Sequence, residues 1–272
     1  MRAKIPFGIA NIGKSFRNEI TPGHFIFRTR EFEQMEIEFF CNEPEEDKWM
    51  DYWIKERMEW YQSIGIDKKQ LRLREHDESE LAHYAKKTVD IEYLYPWGWG
   101  ELEGIANRGS YDLHAHQESS GKDLTYFDSL DDKKYLPSVI EPAGGLTRTL
   151  FALMLSVYEE EILENDETRT LFKFNFDIAP IQIGILPLSK KDDLIKVSEQ
   201  INKTLNQNYR TEVDITQSIG KRYRRQDEIG TPYCITVDFD SLEDNCITVR
   251  NRDTMKQDRI SIEKVSEYFE KL

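Results

Sequence analysis

Cysteine is scarce in this chain of 272 residues. Cys41, Cys234 and Cys246 are odd in number and show no Cys-x-x-Cys spacing, which argues against a disulfide framework or a structural zinc site and points to a reduced, cytoplasmic setting. No apolar run approaches membrane-spanning length, and the N-terminus has no stretch like the apolar core of a signal peptide. No membrane partner is therefore expected. Positive charge is also short: 37 Lys and Arg stand against 51 Asp and Glu, a formal net charge of −14. Such a body is a poor non-specific binder of DNA, and any RNA contact must come from local basic patches. Ser119-Ser120-Gly121-Lys122 carries the Gly-Lys of a phosphate-binding P-loop without its first glycine and is set aside. His114 and His116, spaced His-x-His beside Glu118, lack a companion Cys or second His cluster and read as surface or supporting histidines. What remains is an ordinary composition, 39% hydrophobic and 32% charged, long enough for one large or two ordinary domains.

The stretch that organises the chain is Lys14 to Ile20, a turn at Thr21-Pro22-Gly23-His24, then Phe27 to Glu36. Pro22 presets φ and Gly23 permits a positive one, so the pattern predicts an antiparallel hairpin. Strand alternation puts Arg17 and Glu19 on one face, and Arg28, Arg30, Phe32, Gln34 and Glu36 on one face of the second strand. If the faces coincide, the side they form either lines a wet, ligand-binding pocket or is a solvated surface laced with ion pairs.

From Glu45 to Ile64, Trp49, Tyr52, Trp53, Trp60, Tyr61 and Ile64 recur at helical spacing, with Pro44 at the start and Gly65 as a stop; the aromatic stripe reads as core packing. Leu71 to Arg74 alternates like a strand, Glu78 to Lys87 predicts a short helix, and Asp90 to Tyr95 a further strand. Glycines 98, 100 and 104 among the tryptophans of Pro96 to Arg108 suggest tight backbone beside a ligand. Pro137 to Pro142 predicts a buried strand ending in a carboxylate, and Ala143 to Arg148 a glycine-rich turn into the helix Thr149 to Leu155. Such a turn brings backbone N–H groups and Arg148 near any bound phosphate. Past Ile178 the pattern predicts strands at 181–188, 211–215, 233–238 and 245–251, with helices at 192–206 and 262–272, a small α/β domain. The densest basic run, Lys221, Arg222, Arg224 and Arg225 around Tyr223, fits phosphate contact with base stacking, or a solvated face paired with Asp227 and Glu228.

Phe16-Arg17-Asn18-Glu19 followed by Arg28-Thr29-Arg30-Glu31-Phe32 resembles the second signature motif of class II aminoacyl-tRNA synthetases. Gln34-Met35-Glu36-Ile37-Glu38, the run Trp99-Gly100-Glu101-Leu102-Glu103-Gly104-Ile105-Ala106, and Ala143 to Arg148, like the third motif, resemble the homodimeric glycyl-tRNA synthetases. The resemblance implies a mixed α/β (α+β) fold: a partial antiparallel-sheet catalytic core over residues 1–176 and an α/β anticodon-binding domain over 177–272. It implies ATP-dependent activation of glycine and transfer to tRNA(Gly), with ATP and Mg²⁺. Arg17 and Arg148 would be catalytic, and Arg17, Glu19, Arg28, Thr29, Phe32, Glu101, Leu102 and Arg148 would hold ATP, with Phe32 under the adenine opposite Arg148. Glu101 would meet the Mg²⁺. Glu36, Glu141, Arg108 and Ala143 would hold glycine, and Lys221, Arg222, Arg224 and Arg225 the tRNA. Position 143 is often serine in that family, so the alanine is a departure. The first signature motif, which forms the dimer interface in those enzymes, is expected to be missing. That leaves two classes open, an active ligase or a non-catalytic tRNA-binding protein or inactive fragment on the same scaffold.

Overall fold

A computed structural model describes residues 3–129, 132–164 and 166–271. They form two units, residues 1–156 and 157–272. The division falls before a hairpin that a boundary at 176/177 would assign to the first unit, a shift of the expected border toward the N-terminus.

In the first unit the elements are β1 (Phe7–Phe16), β2 (Glu31–Cys41), α1 (Glu46–Ser63), β3 (Leu71–Glu75), β4 (Lys87–Tyr95), β5 (Gly98–Gly109), α2 (Tyr111–Ser120), the small hairpin β6 (Tyr126–Asp128) and β7 (Lys133–Tyr135), β8 (Ser138–Gly145) and α3 (Leu146–Val157). Six strands make one sheet in the order β1-β2-β8-β5-β4-β3, antiparallel throughout. The expected hairpin is present as β1 and β2, paired from Phe7↔Phe40 to Phe16↔Glu31. Its connection is longer than a tight turn: residues 17–30 leave the ladder, with a backbone bond from Arg17 to Arg30 at its base and a bridge between Gly23 and Arg28 within it.

One face of the sheet is apolar. Phe39, Cys41, Val89, Ile91, Tyr93, Ile105 and Ile140 are all buried, and the aromatic stripe of α1 packs here, with Trp49 and Trp53 against Phe39. The Tyr93 hydroxyl meets Ser156 of α3 at 3.1 Å. At about 25 cal/mol per Å² of apolar surface removed from water, this contact of helices on sheet is the main source of the unit's stability. The same layer holds buried charge that is fully partnered: Arg57 of α1 donates to both oxygens of Glu103 at 2.7 and 2.9 Å, and Tyr61 donates to it at 2.6 Å.

The segment expected as a helix at 78–87 is instead a series of turns. Arg74 holds Glu80 at 2.5 Å, the His76 ring meets Asp90 at 2.7 Å, and Tyr84 lies under the Arg108 guanidinium at 4.0 Å. These tertiary contacts outweigh a weak local helical preference.

The second unit holds the hairpin β9 (Tyr158–Ile162) and β10 (Thr168–Phe172), then β11 (Ile183–Pro187), α4 (Asp192–Leu205), β12 (Thr211–Val213), α5 (Ile219–Ile229), β13 (Tyr233–Val237), α6 (Ser241–Asp244), β14 (Cys246–Asn251), β15 (Gln257–Ser261) and α7 (Val265–Phe269). Five strands order as β12-β11-β13-β14-β15. β11 pairs in parallel with β12 and β13, and the other pairs are antiparallel. Ile183, Ile185, Leu194, Ile201, Ile235, Val249 and Phe269 belong to its core. The expected closing helix is shorter, preceded by a 3₁₀ turn over Ile262–Lys264, and Leu272 lies outside the described residues. Asp227 is buried between Arg169 at 2.8 Å and Arg250 at 3.0 Å, so hairpin, α5 and sheet are tied together by fully partnered charges.

Candidate functional site

The other face of the six-stranded sheet is polar and open, and a cavity of about 450 Å³ lies on it. Strand alternation explains the lining. Phe32, Gln34 and Glu36 come from β2, Glu141 and Ala143 from β8, Gly104, Ala106 and Arg108 from β5, and Thr88 and Asp90 from β4. Register places Glu36 beside Ala143, Ala143 beside Gly104, and Gly104 beside Asp90. The next row runs Glu141, Ala106, Thr88. A floor of glycine and alanine is therefore walled by carboxylates.

Alternation alone would set Glu101 on the same face as Glu103. It does not, because the ladder slips between Ile91/Glu92 and Glu103/Glu101, leaving Leu102 as the extra residue of a β-bulge. Glu103 turns to the helices while Glu101 lines the cavity. The Leu102 side chain is 1% exposed and packs in the core, which corrects its expected place against a nucleotide.

The connection over residues 17–30 closes one end of the cavity with Arg17, Glu19, Arg28 and Thr29. Arg17 sits 5.3 Å over the Phe32 ring, and Arg28 is 3.8 Å from Glu19. Arg30, expected on this face, turns away and donates to the Glu19 carbonyl at 3.1 Å. The loop is anchored by rings: His24 stacks on Trp97 at 4.1 Å, and Phe27 meets Tyr95 and Trp97 edge-on. Arg148, at the start of α3, lies 4.3 Å over the Phe27 ring and donates to the carbonyls of Phe27 and Glu101 at 3.2 and 2.7 Å. A Cβ at Gly100 would stand 3.2 Å from the Phe27 ring, which accounts for that glycine.

At the far end, Arg108 bonds Glu141 at 2.9 Å and Asp112 at 2.6 Å, and the Asp112 hydrogen bond holds the guanidinium pKa above its ordinary value. Glu36, Glu38 and Glu141 bring oxygens within 4.8 Å of one another. Burial raises Glu141 to about 7 against the opposing pull of Arg108, with Glu38 and Glu36 adding repulsion. Glu38 is missing from the sequence-based set, although it stands two residues past Glu36 on the same strand face, a parity that would have found it. Asp90 was likewise unassigned; burial raises its pKa, opposed by the bond from His76. A Cβ at Gly104 would lie 3.5 Å from an Asp90 oxygen and 4.0 Å from a Glu101 oxygen, so two carboxylates converge over open space. That all-oxygen donor set fits a hard divalent cation.

The basic run of α5 is only partly a surface. Arg222 is 2% exposed and donates to the carbonyls of Pro187 and Asp214 at 2.6 and 3.0 Å; burial lowers its pKa. Tyr223 is turned inward, bonded to Thr236 at 2.5 Å and covered by Arg250 at 4.9 Å. Neither is placed for the phosphate contact and base stacking expected of them. Lys221, Arg224 and Arg225 share the outward side at helical spacing. Arg224 holds Glu167 at 2.8 Å and Arg225 lies 3.4 Å from Asp214. His114 and His116 are exposed on α2, as surface histidines should be.

An antiparallel sheet with arginines at one end of its polar face, followed by a mixed α/β unit, is the architecture the chain presents. The family model for the tRNA synthetase class II core domain (G, H, P, S and T) matches residues 1–158, and that for an anticodon binding domain matches residues 182–272. The chain belongs to the class II tRNA synthetases. Among curated proteins it is 55% identical to the glycine–tRNA ligase of Agathobacter rectalis over 99% of this chain and 58% of that protein. It is 52% identical to that of Corynebacterium glutamicum, over 98% and 60% respectively. The chain thus spans about three fifths of the length of these relatives. The crystal structure of prolyl-tRNA synthetase from Cryptosporidium parvum, complexed with L-proline and AMP, shares the fold: TM-score 0.74 at 17% identity, over 98% of this chain and 55% of that one. Among the described residues no helix is long and apolar enough to cross a membrane.

Proposed function

We propose that this chain carries the adenylation site of a glycine–tRNA ligase, which joins glycine to ATP and passes the glycyl group to tRNA(Gly). The observation that carries this reading is the cavity's polarity along the strands. Phe32 and Arg148 lie at one end and Glu36 and Glu141 toward the other. Four residues from Phe32 to Glu36 span roughly 13 Å, the reach of an adenylate laid along β2.

The first step is attack by the glycine carboxylate on the α-phosphorus: a carboxyl oxygen–phosphorus bond forms as the bond to pyrophosphate breaks. The nucleophile is already an anion, so no general base is required, and positioning with charge stabilisation supplies the acceleration. Arg17 faces the α-phosphate, Arg28 and Thr29 the outer phosphates, and the adenine lies between Phe32 and Arg148, with Glu19 and Glu101 beside the nucleotide. Glu101 and Asp90 would hold Mg²⁺, which neutralises phosphate charge when bound. Glu36 and Glu141 take the glycine ammonium and Arg108 stands by its carboxylate. Ala143, Gly104 and Ala106 leave height for an α-carbon without a side chain, so larger amino acids are rejected sterically. Lys221, Arg224 and Arg225 offer the tRNA an outward basic edge. Cytoplasmic location and a homodimeric assembly belong to the same reading.

Glycine-dependent exchange of pyrophosphate into ATP tests it, with alanine and serine as controls. Exchange with glycine alone is expected. A folded chain that exchanges with none of the three would be a binding protein on the same scaffold.

A further inference from the structure

Glu38 has no part in the chemistry above, yet it is built into the site. It is half-buried on β2, and it brings a carboxylate oxygen within 4.8 Å of oxygens of Glu141 on β8 and of Glu36. Carboxyl groups held this close are far more stable with a proton between them than as bare neighbouring charges. The surroundings demand the same. Facing the pair are Glu36 from β2, Arg108 from β5 and Asp112 from α2, while the Tyr84 ring under Arg108 adds no charge. Four carboxylates thus surround one guanidinium, itself shared between Glu141 and Asp112. Like charges at such spacing do not all ionise in a half-buried site.

We infer that Glu38 and Glu141 share one proton when the site is empty, and that an arriving substrate ammonium displaces it, coupling amino-acid binding to proton release. The proposal rests on reading the cluster as the ammonium site. The balance is simple: the carboxyl proton leaves to solvent, both glutamates become anions, and the ammonium N–H groups take over the bonds that the proton satisfied. The net charge of the pocket is unchanged by binding. Glu38 is a positioning residue, acting through Glu141. Because burial lifts the Glu141 carboxyl to about 7, the exchange falls near neutrality and belongs to the pair as a unit. Ligands without an amino group leave the proton in place, so the pair also discriminates between charged and neutral occupants.

Two measurements test this. Carboxyl-carbon NMR of the ligand-free chain, with isotope-labelled glutamates, should show a coupled pair with one group titrating near neutrality. Glu38→Gln should remove that titration. If every glutamate titrates in the ordinary acid range, the proposal is overturned whatever the chain binds. Calorimetry in buffers of different ionisation enthalpy then compares glycyl-sulfamoyl adenosine with its acetyl analogue. Below neutrality the glycyl compound should release about one proton and the acetyl compound none. Glu38→Gln should bind without release and lose the roughly tenfold fall in affinity per pH unit expected below pH 7. Binding of the glycyl compound without release, or equal release from both, overturns the coupling. If neither compound binds although the neutral titration is present, the ligase reading falls and the shared proton stands.

Discussion

Glu103 and Glu141 lie on neighbouring strands of one sheet and face opposite ways. Glu103, on the helix side, has a bidentate arginine and a tyrosine hydroxyl to itself. Glu141, on the cavity side, shares one arginine with Asp112 and is crowded by two further glutamates. The first arrangement is complete without a ligand. The second is short of positive charge, and that shortage is what a small cationic group would fill. Compensation, more than burial, separates the structural carboxylate from the functional one.

The comparison breaks most visibly on stability. Glu103→Ala strands Arg57 and Tyr61 beside an empty space, and should cost about 3–5 kcal/mol in urea unfolding. Glu141→Ala should cost under about 1 kcal/mol while abolishing measurable glycine binding. A similar loss from both would erase the distinction. Next in size, Arg148→Ala should weaken ATP binding by about 2–3 kcal/mol in a fluorescence titration, with the fold intact by circular dichroism; Arg17→Ala should do likewise.

The same contrast recurs on α5. Arg222→Ala removes a buried guanidinium from two carbonyls and should lower stability by about 2 kcal/mol. Lys221→Ala should leave stability alone and reduce the salt slope of tRNA binding by about one.

Smaller again is the effect of Glu38→Gln on stability. A carboxyl raised by folding is stabilising below its unfolded pKa, and that contribution is lost as pH rises through about 7. The variant should therefore be more stable than the parent by roughly 1 kcal/mol at pH 8 and little different at pH 5. Ala143→Ser restores a hydroxyl without changing the floor's height, and should alter glycine affinity by no more than about threefold.

Much of this was legible in the chain itself, for identifiable reasons. The aromatic period of α1 marks a helix packed on a core, and Gly65, at φ 109, stops it. The run from Ser138 into α3 announces itself by glycines, and the cavity face of β2 by simple alternation. What escaped depends on contacts between distant residues. The turns at 78–86 exist because Arg74, Asp90 and Arg108 hold them. β15 is a polar edge strand, Gln257 to Ser261, whose exposed side chains look like loop. A charge count cannot tell Arg222 from Lys221, although the helical spacing of Arg222 with Gln226, both buried, marks the inward stripe.

The bulge at Leu102 has a consequence for how this strand tolerates change. It acts as a shift of reading frame: before it odd positions face the cavity, after it even ones do. Substituting Leu102 by another apolar residue keeps the frame, whereas deleting it would swap Glu101 with a core position and turn a cavity acid into the helices. Insertions and deletions within a few residues of position 102 should be far less tolerated than substitutions there, the reverse of what a surface loop allows.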